Sequence, residues 1–397
     1  MTCWGPSGVP PVAIIALGKI LRYNGQSMRI ALLAPLKREL SAETRGGRPR
    51  IVYNLAEGLT AGGHEVTVFG TGDSHISGNL IPVIPKALFH LPPVENEFYR
   101  HLIGLCRMME ELRKRKGKFD IIHNHLYPEV LAILFARELG TPMLTTVHTQ
   151  MTSELGEFFS HYPETHFAPI SNRQKELYPG LNYTETVYNG IDERAFAFSG
   201  NPGTYLLFVG RIREFFTNEG GEKIDPKGVT DAIRVAQKAG VPIKIVGNVE
   251  SYAFYEREIA PHLSDTIQFI GNPKSAEGEL ALAERVKLYQ GAKALLAPVH
   301  WEEPFGIVMI EAMSCGTPVI AYRRGAIPEV VEDGNTGFVV EDEQTMVAAA
   351  AKIEQIDRAA CRAVVEKRFT IDAMVSGYEA VYRKILASKA SLPAGQG

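Results

Sequence analysis

Glu303 and Glu311 bracket seven residues in the run HWEEPFGIVMIEAMSCG, residues 300–316. Carboxylates suit sugar hydroxyls, because one carboxylate accepts two hydrogen bonds from neighbouring diol groups. Pro304, Phe305 and Gly306 follow the first glutamate, and Pro and Gly near a helix start place its first turn around Phe305 to Ile307. Glu303 then stands on the loop at the helix mouth, with Glu311 one to two turns inside. The backbone N–H groups of Gly306, Ile307 and Val308 lack intrahelical acceptors there, and free donors together with the helix dipole make a natural diphosphate site. Two glutamates at this spacing are ordinarily just solvated. Here they lie between two apolar runs, ALLAPV and PVIAY, which sets them at a carboxyl-end loop of a parallel sheet, where ligands bind.

Two cations fit the same chemistry. Arg211 follows a strand and a glycine in LLFVGRI, and Lys227 opens the next helix in DPKGV. A departing diphosphate gathers negative charge, and without a metal fixed cations must stabilise it; Arg offers a bidentate fork and Lys a point charge. In the first half, Gly46 and Gly47 follow Arg45 in the loop before PRIVYNLAEGL, where glycine lets the backbone approach a ligand closely. His148 ends the run MLTTV at another carboxyl end. His123 and His125 in DIIHNH resemble a metal pair but lack a third ligand, and we read them as cleft lining. Gly247, Asn248, Ile270 and Gly271 stand at strand ends suited to a nucleobase. No G-x-G-x-x-G follows any strand, which argues against a dinucleotide oxidoreductase.

The elements that must position these residues alternate. Apolar runs at Arg29–Ala34, Glu65–Phe69, Phe119–His123, Met143–Val147 and His166–Ile170 are separated by helical patterns such as IVYNLAEGLTAGG and EFYRHLIGLCRMMEELRKRK. Strands apolar throughout are buried on both faces and imply a parallel sheet with right-handed crossovers. The turn formers from Ser199 to Gly203 mark a boundary. The pattern then restarts with TYLLFVG, IKIVGN, TIQFIGN, ALLAPV and PVIAY. The expected organisation is an extension over residues 1–27, an α/β domain over 28–198, a second over 199–370, and a C-terminal helix and tail over 371–397 packing back on the first domain. Met28 opens the first strand in MRIALLAP, and the apolar run Val12–Leu21 is shorter than the roughly 20 residues of a membrane span.

The bulk numbers fit this plan. The 397 residues suffice for two or three domains; 45% are hydrophobic and 22% charged, as in soluble globular proteins. A net charge of −3 gives no reason to expect nucleic acid as a partner. The four cysteines form no C-x-x-C pair and fit a reducing cytoplasm. The basic run Leu112–Lys118 offers contact with an anionic membrane, but it closes a helix, where cations complement the dipole; we prefer the second reading.

From Met28 to about Leu386 the chain resembles the retaining glycosyltransferases of family four, whose signature is Glu-x7-Glu and whose fold is GT-B: two Rossmann-like domains with parallel sheets facing a central cleft. The subgroup it looks like is that of the avilamycin-pathway glycosyltransferase. The resemblance implies that Glu303 holds hydroxyls of the transferred sugar and Glu311 those of the ribose. Pro304 and the amides of Phe305 to Val308 then contact sugar and phosphates. Arg211 and Lys227 bind the diphosphate, Gly46 and Gly47 contact it across the cleft, and His148 lies by the reacting centre. One departure is the segment IREFFTNEGGEKIDP between Arg211 and Lys227, longer than the family's loop. The implied reaction moves a hexosyl unit from a UDP- or GDP-sugar to an acceptor hydroxyl of a glycan, lipid or small molecule, with retention, no metal and no cofactor. A nucleotide-sugar epimerase of GT-B fold and an inactive nucleotide-sugar-binding protein are the alternatives.

Overall fold

A computed structural model describes residues 27–44, 46–216, 221, 223–275 and 280–390. The expected extension lies, Ser27 apart, outside the described residues, as do Arg45 and part of the long segment before Lys227.

The first sheet contains β1 (Arg29–Leu33), β2 (Glu65–Thr71), β3 (Asn79–Ile84), β4 (Ile121–Asn124), β5 (Met143–Thr145) and β6 (His166–Phe167) in the order β3-β2-β1-β4-β5-β6. Every pairing in it is parallel. Its helices are α1 (Gly47–Ala61), α2 (Glu97–Arg113), α3 (Val130–Leu139), α4 (Ser153–Ser160) and α5 (Asn172–Leu177). β1 shows why an unbroken apolar run is needed. Ile30 and Leu32 enter the core under α1, whereas Ala31 and Leu33 enter the core under α2 and α3.

The second sheet contains β7 (Tyr205–Val209), β10 (Ile243–Val246), β11 (Ile267–Ile270), β12 (Ala292–Ala297), β13 (Val319–Tyr322) and β14 (Gly337–Val340), ordered β11-β10-β7-β12-β13-β14 and again all parallel. Between β7 and β10 a small antiparallel pair, β8 (Phe215–Phe216) and β9 (Lys223–Ile224), occupies the long segment after Arg211. The helices here are α6 (Val229–Ala239), α7 (Tyr252–Glu258), α8 (Leu282–Gln290), α9 (Ile307–Ser314), α10 (Ile327–Val330), α11 (Glu343–Lys352) and α12 (Arg358–Arg368). Each sheet reverses its strand order once, between β1 and β4 and between β7 and β12. A crevice opens at such a switch point above the carboxyl ends.

The chain passes between the sheets twice at one place. Ile191 bridges Thr370, its N–H donating to Phe369 O at 2.9 Å. After the second crossing α13 (Ile371–Ala390) returns to the first sheet. It buries Met374, Val375, Tyr378, Val381, Tyr382 and Ile385 beside α1. At roughly 1.5–3 kcal/mol per side chain, that face contributes on the order of 10 kcal/mol. The approach is close at Gly58, where a Cβ would lie 2.5 Å from Val375 Cγ2.

Several strand bounds differ from the sequence reading: β1 stops at Leu33, β2 runs on to Thr71, β4 starts at Ile121 and β5 stops at Thr145. β6 stops at Phe167 rather than Ile170, because the Gln174 amide inserts there: its Oε1 accepts from Ile170 N at 2.9 Å and its Nε2 donates to Val147 O at 3.0 Å. β4 continues to Asn124, so His123 lies within the strand. The sheets also gain β3 and β14, which the sequence reading lacked. Both are edge strands, one holding Pro82 and the other opening on Gly337, the breakers that edges tolerate.

Candidate active site

In the second sheet the switch strands deliver the charged residues. Arg211 follows β7 by two residues and Glu303 lies on the loop after β12. Lys227 Nζ donates to Glu303 Oε2 at 2.6 Å, and Trp301 Nε1 donates to the same oxygen at 2.9 Å. The ammonium also sits 4.6 Å from the centre of the Trp301 ring. Asp225 fixes the lysine's backbone, accepting from Lys227 N, Gly228 N and Thr230 N at 3.2, 2.9 and 3.0 Å. Gly228 has φ 74°, and a Cβ there would lie 2.0 Å from Pro298 O, so the turn admits only glycine. Glu303 is anchored as well: its carbonyl accepts from Ala326 N at 2.8 Å. Next to it, Glu302 takes a two-pronged contact from Arg173 of α5, at 2.9 and 3.2 Å, which ties this loop to the first lobe.

α9 begins at Ile307 after Gly306, whose φ of 86° makes it a left-handed cap. The amides of Gly306, Ile307 and Val308 have no acceptor among the described residues. Facing them from the first lobe is Gly47, the first residue of α1, where a Cβ would lie 3.0 Å from Ile307 Cδ1. Gly46 caps α1 with φ 90°. The Gly-Gly loop, the α9 mouth, Glu303 and Lys227 therefore come together. Arg211 joins them through the backbone: a Cβ on the preceding Gly210 would lie 3.5 Å from Lys227 Cβ, and one on Gly247 would meet Gly210 O at 1.7 Å. The Arg211 guanidinium is half-exposed and pairs with Glu250 at 3.6 Å; Arg213 pairs with the same carboxylate at 3.1 Å.

The remaining expected residues lie inside α9 and at the ends of β10 and β11. Glu311 is 2% exposed, and its carboxylate already accepts from Tyr289 OH at 2.8 Å with Arg285 at 3.8 Å. It is a buried, partnered group in the second turn of α9. Asn248 follows Gly247 and has a buried Oδ1 without a partner among the described residues. Ile270 and Gly271 end β11 at the sheet edge, two strands from β7.

The first lobe contributes a histidine cluster. His125 Nδ1 lies 2.9 Å from His148 Nε2. His123, read from the sequence as cleft lining, is fully enclosed between Tyr382 OH at 2.7 Å and Thr146 Oγ1 at 2.8 Å; α13 covers it. Arg48 lies beside the cluster, donating to Leu126 O at 3.0 Å, 3.6 Å from Glu129 and 4.9 Å from the centre of the Tyr127 ring. Burial, aided by the Arg48 charge, pulls His125 down to about 3. Burial and its charged neighbours also hold His148 well below the usual histidine range, and His123 follows through burial and the other two rings. All three rings are neutral at pH 7.

Sequence reasoning assigned no role to Trp301, Asp225, Arg213 or Arg48. Signals existed for three: Asp two residues before Lys227 and three before Gly228 is a capping pattern, Trp301 stands inside the Glu303 run, and Arg48 directly follows Gly47.

Known proteins resemble this chain in sequence and fold. Residues 45–194 match the family model Glycosyltransferase Family 4, and residues 221–359 match Glycosyl transferases group 1. N-acetyl-alpha-D-glucosaminyl L-malate synthase from Bacillus anthracis is 25% identical over 86% of this chain and 94% of its own length. A glycosyltransferase involved in avilamycin A biosynthesis superposes with a TM-score of 0.64 at 19% identity, covering 91% of this chain and 98% of the other. HepE from Anabaena, solved in complex with UDP-glucose, gives 0.62 at 16% identity over 92% of this chain and 100% of its own. The structural likenesses, with the paired parallel sheets, establish the GT-B fold.

Proposed function

The chain belongs to the group 1, family four glycosyltransferases, and on that premise we propose that it transfers a hexosyl unit from a UDP- or GDP-sugar to an acceptor hydroxyl, with retention and without a metal. The observation that carries this reading is the meeting of Lys227, Glu303 and the α9 mouth, with Gly47 opposite Ile307. Residues 28–198 form the acceptor side and 199–370 the donor side, and α13 (Ile371–Ala390) straps back to the first domain. The donor diphosphate lies between the amides of Gly306 to Val308 and the side chains of Lys227 and Arg211. Pro304 and Phe305 shape the sugar's edge of that pocket, with Glu303 on its hydroxyls, and Gly46 and Gly47 approach the phosphates from the other lobe. The nucleoside runs towards Gly247, Asn248, Ile270 and Gly271. Glu311 keeps lone pairs beyond the one Tyr289 uses, so it remains available to a ribose hydroxyl.

In the reaction the acceptor oxygen forms a bond to the anomeric carbon on the face that the diphosphate leaves. The bond from that carbon to the phosphate oxygen breaks, its electron pair stays on the diphosphate, and a phosphate oxygen takes the acceptor's proton. Lys227, Arg211 and the α9 amides stabilise the charge that develops; no carboxylate nucleophile is required. Closure of the lobes excludes water. HepE, a protein of the same fold, is solved with UDP-glucose, which supports a nucleotide-sugar donor.

The test is a thermal-shift panel of UDP-, GDP- and ADP-sugars, followed by donor consumption with and without candidate acceptors in the presence of a chelator. A shift with one nucleotide class and acceptor-dependent release of its diphosphate supports the reading. Isomerisation of the sugar without an acceptor would identify an epimerase, and binding without turnover a nucleotide-sugar-binding protein.

A further inference from the structure

One nitrogen in the histidine cluster is out of place. His125 Nε2 is buried and has no hydrogen-bond partner among the described residues, although its Nδ1 lies 2.9 Å from His148 Nε2. A neutral imidazole carries one proton, on one of these two nitrogens. A proton on Nε2 would bury an N–H with nothing to accept it, and would leave Nδ1 dependent on a donor from His148. A proton on Nδ1 leaves only a bare lone pair inside, and orphaned buried donors are the rarer and costlier defect.

The choice propagates. With the proton on His125 Nδ1, that N–H donates to His148 Nε2, which must then be the unprotonated nitrogen. His148, also neutral, therefore holds its own proton on Nδ1. That nitrogen has no hydrogen-bond partner among the described residues, and His148 itself is half-buried on the loop just past the carboxyl end of β5. The chain behind it is rigid. His123 packs against His125 with ring centres 3.8 Å apart and planes tilted by 43°, and is itself held between Tyr382 and Thr146.

We propose that His125 is a positioning residue: it fixes His148 as the Nδ1–H tautomer, a neutral donor aimed at an oxygen lone pair of the bound sugar or its leaving phosphate. Arg48, close to the pair, disfavours a second proton on either ring, so the cluster offers a hydrogen bond without adding a cation. The proposal rests on the reading of His148 as a cleft residue, but its test does not need turnover.

Ring-labelled ¹⁵N spectra of the full chain report which nitrogen of His148 is protonated, with His148→Asn supplying the assignment. Wild type should show Nδ1–H. His125→Leu should lose that preference, and His125→Asn should keep it, because the Asn amide can donate from near the place of Nδ1. In donor consumption, His125→Leu should lower kcat/KM by about tenfold, the scale of one hydrogen bond, and His125→Asn should recover most of it; the thermal shift by UDP should not change. Protonated Nε2 on His148 in wild type, or an unaltered tautomer in His125→Leu, overturns the proposal. If His125→Leu does not fold, the wild-type and His125→Asn spectra decide. If no sugar is transferred by any variant, the functional reading fails while the tautomer assignment is still measured.

Discussion

Replacing Lys227 with methionine keeps a stem of similar length over Trp301 and removes the charge together with the hydrogen bond to Glu303. In the native site Lys227 and Glu303 are 2.6 Å apart, with side chains 20% and 10% exposed. Pairs in full solvent are worth about 0–1 kcal/mol, and breaking a fully buried pair costs about 3–5 kcal/mol. This pair lies between those limits, and Trp301 still donates to the stranded carboxylate. The expected loss of stability is therefore about 2 kcal/mol, read as a lower urea midpoint at unchanged slope. The rate should suffer more. A preorganised cation beside a departing diphosphate contributes about 3 kcal/mol to the transition state, so kcat should fall about a hundredfold or more.

The assay is initial-rate release of nucleoside diphosphate at saturating donor, with urea melts on the same preparations. Lys384→Met supplies the control: Lys384 pairs with Glu185 at 2.9 Å, but the two side chains are 63% and 67% exposed. It should lie within about 0.5 kcal/mol of wild type, at full rate. If Lys227→Met loses stability but turns over as fast as Lys384→Met, the ion pair is only structural and the placement of the diphosphate beside it is wrong.

Two further outcomes follow from the same geometry. Gly47→Ala puts a methyl 3.0 Å from Ile307 Cδ1, so a smaller thermal shift by UDP is expected, restored when Ile307→Val is added; an unchanged shift would remove Gly47 from the donor site. Acid should destabilise the protein through its histidines: burial holds His123, His125 and His148 below their unfolded value near 6.5. The unfolded chain then binds protons that the folded chain does not, so their contribution is complete above about pH 6.5. It is lost on acidification at about 1.4 kcal/mol per pH unit per ring. Urea melts at pH 7 and 5 measure it, and equal stabilities would show that the cluster is accessible to protons.

The two-sheet plan was legible because central strands need apolar residues on both faces, and no other element packs Val, Ile and Leu so densely over so few positions. Edge strands carry no such demand, and β3 and β14 were hidden behind Pro82 and Gly337. The residues just past the switch strands were legible too, since glycine and a charge directly after an apolar run have little structural reason to be there. What could not be read was partnership. Tyr289 reaches Glu311 from 22 positions away, Leu126 receives Arg48 from 78, and Tyr382 covers His123 from 259. Local pattern reports which face of an element is buried. It does not report which distant side chain arrives to bury it.

The two lobes have the same strand order yet supply opposite electrostatics to the crevice. Behind β7 and β12 stand Arg211, Arg213 and Lys227, each set against a carboxylate. Behind β4 and β5 stand imidazoles that burial keeps uncharged, with Arg48 pointed inward at carbonyl and carboxylate partners. A nucleotide-sugar has the same asymmetry, since its diphosphate is charged and its sugar is not. Cations at the sugar would hold the diphosphate in the wrong register, and neutral donors at the phosphates would leave the charge of the departing group unmet. On the proposed function, two copies of one sheet divide these tasks because each presents its switch point to the other. The division is set by a few residues beyond the strand ends, and the strands themselves need not differ.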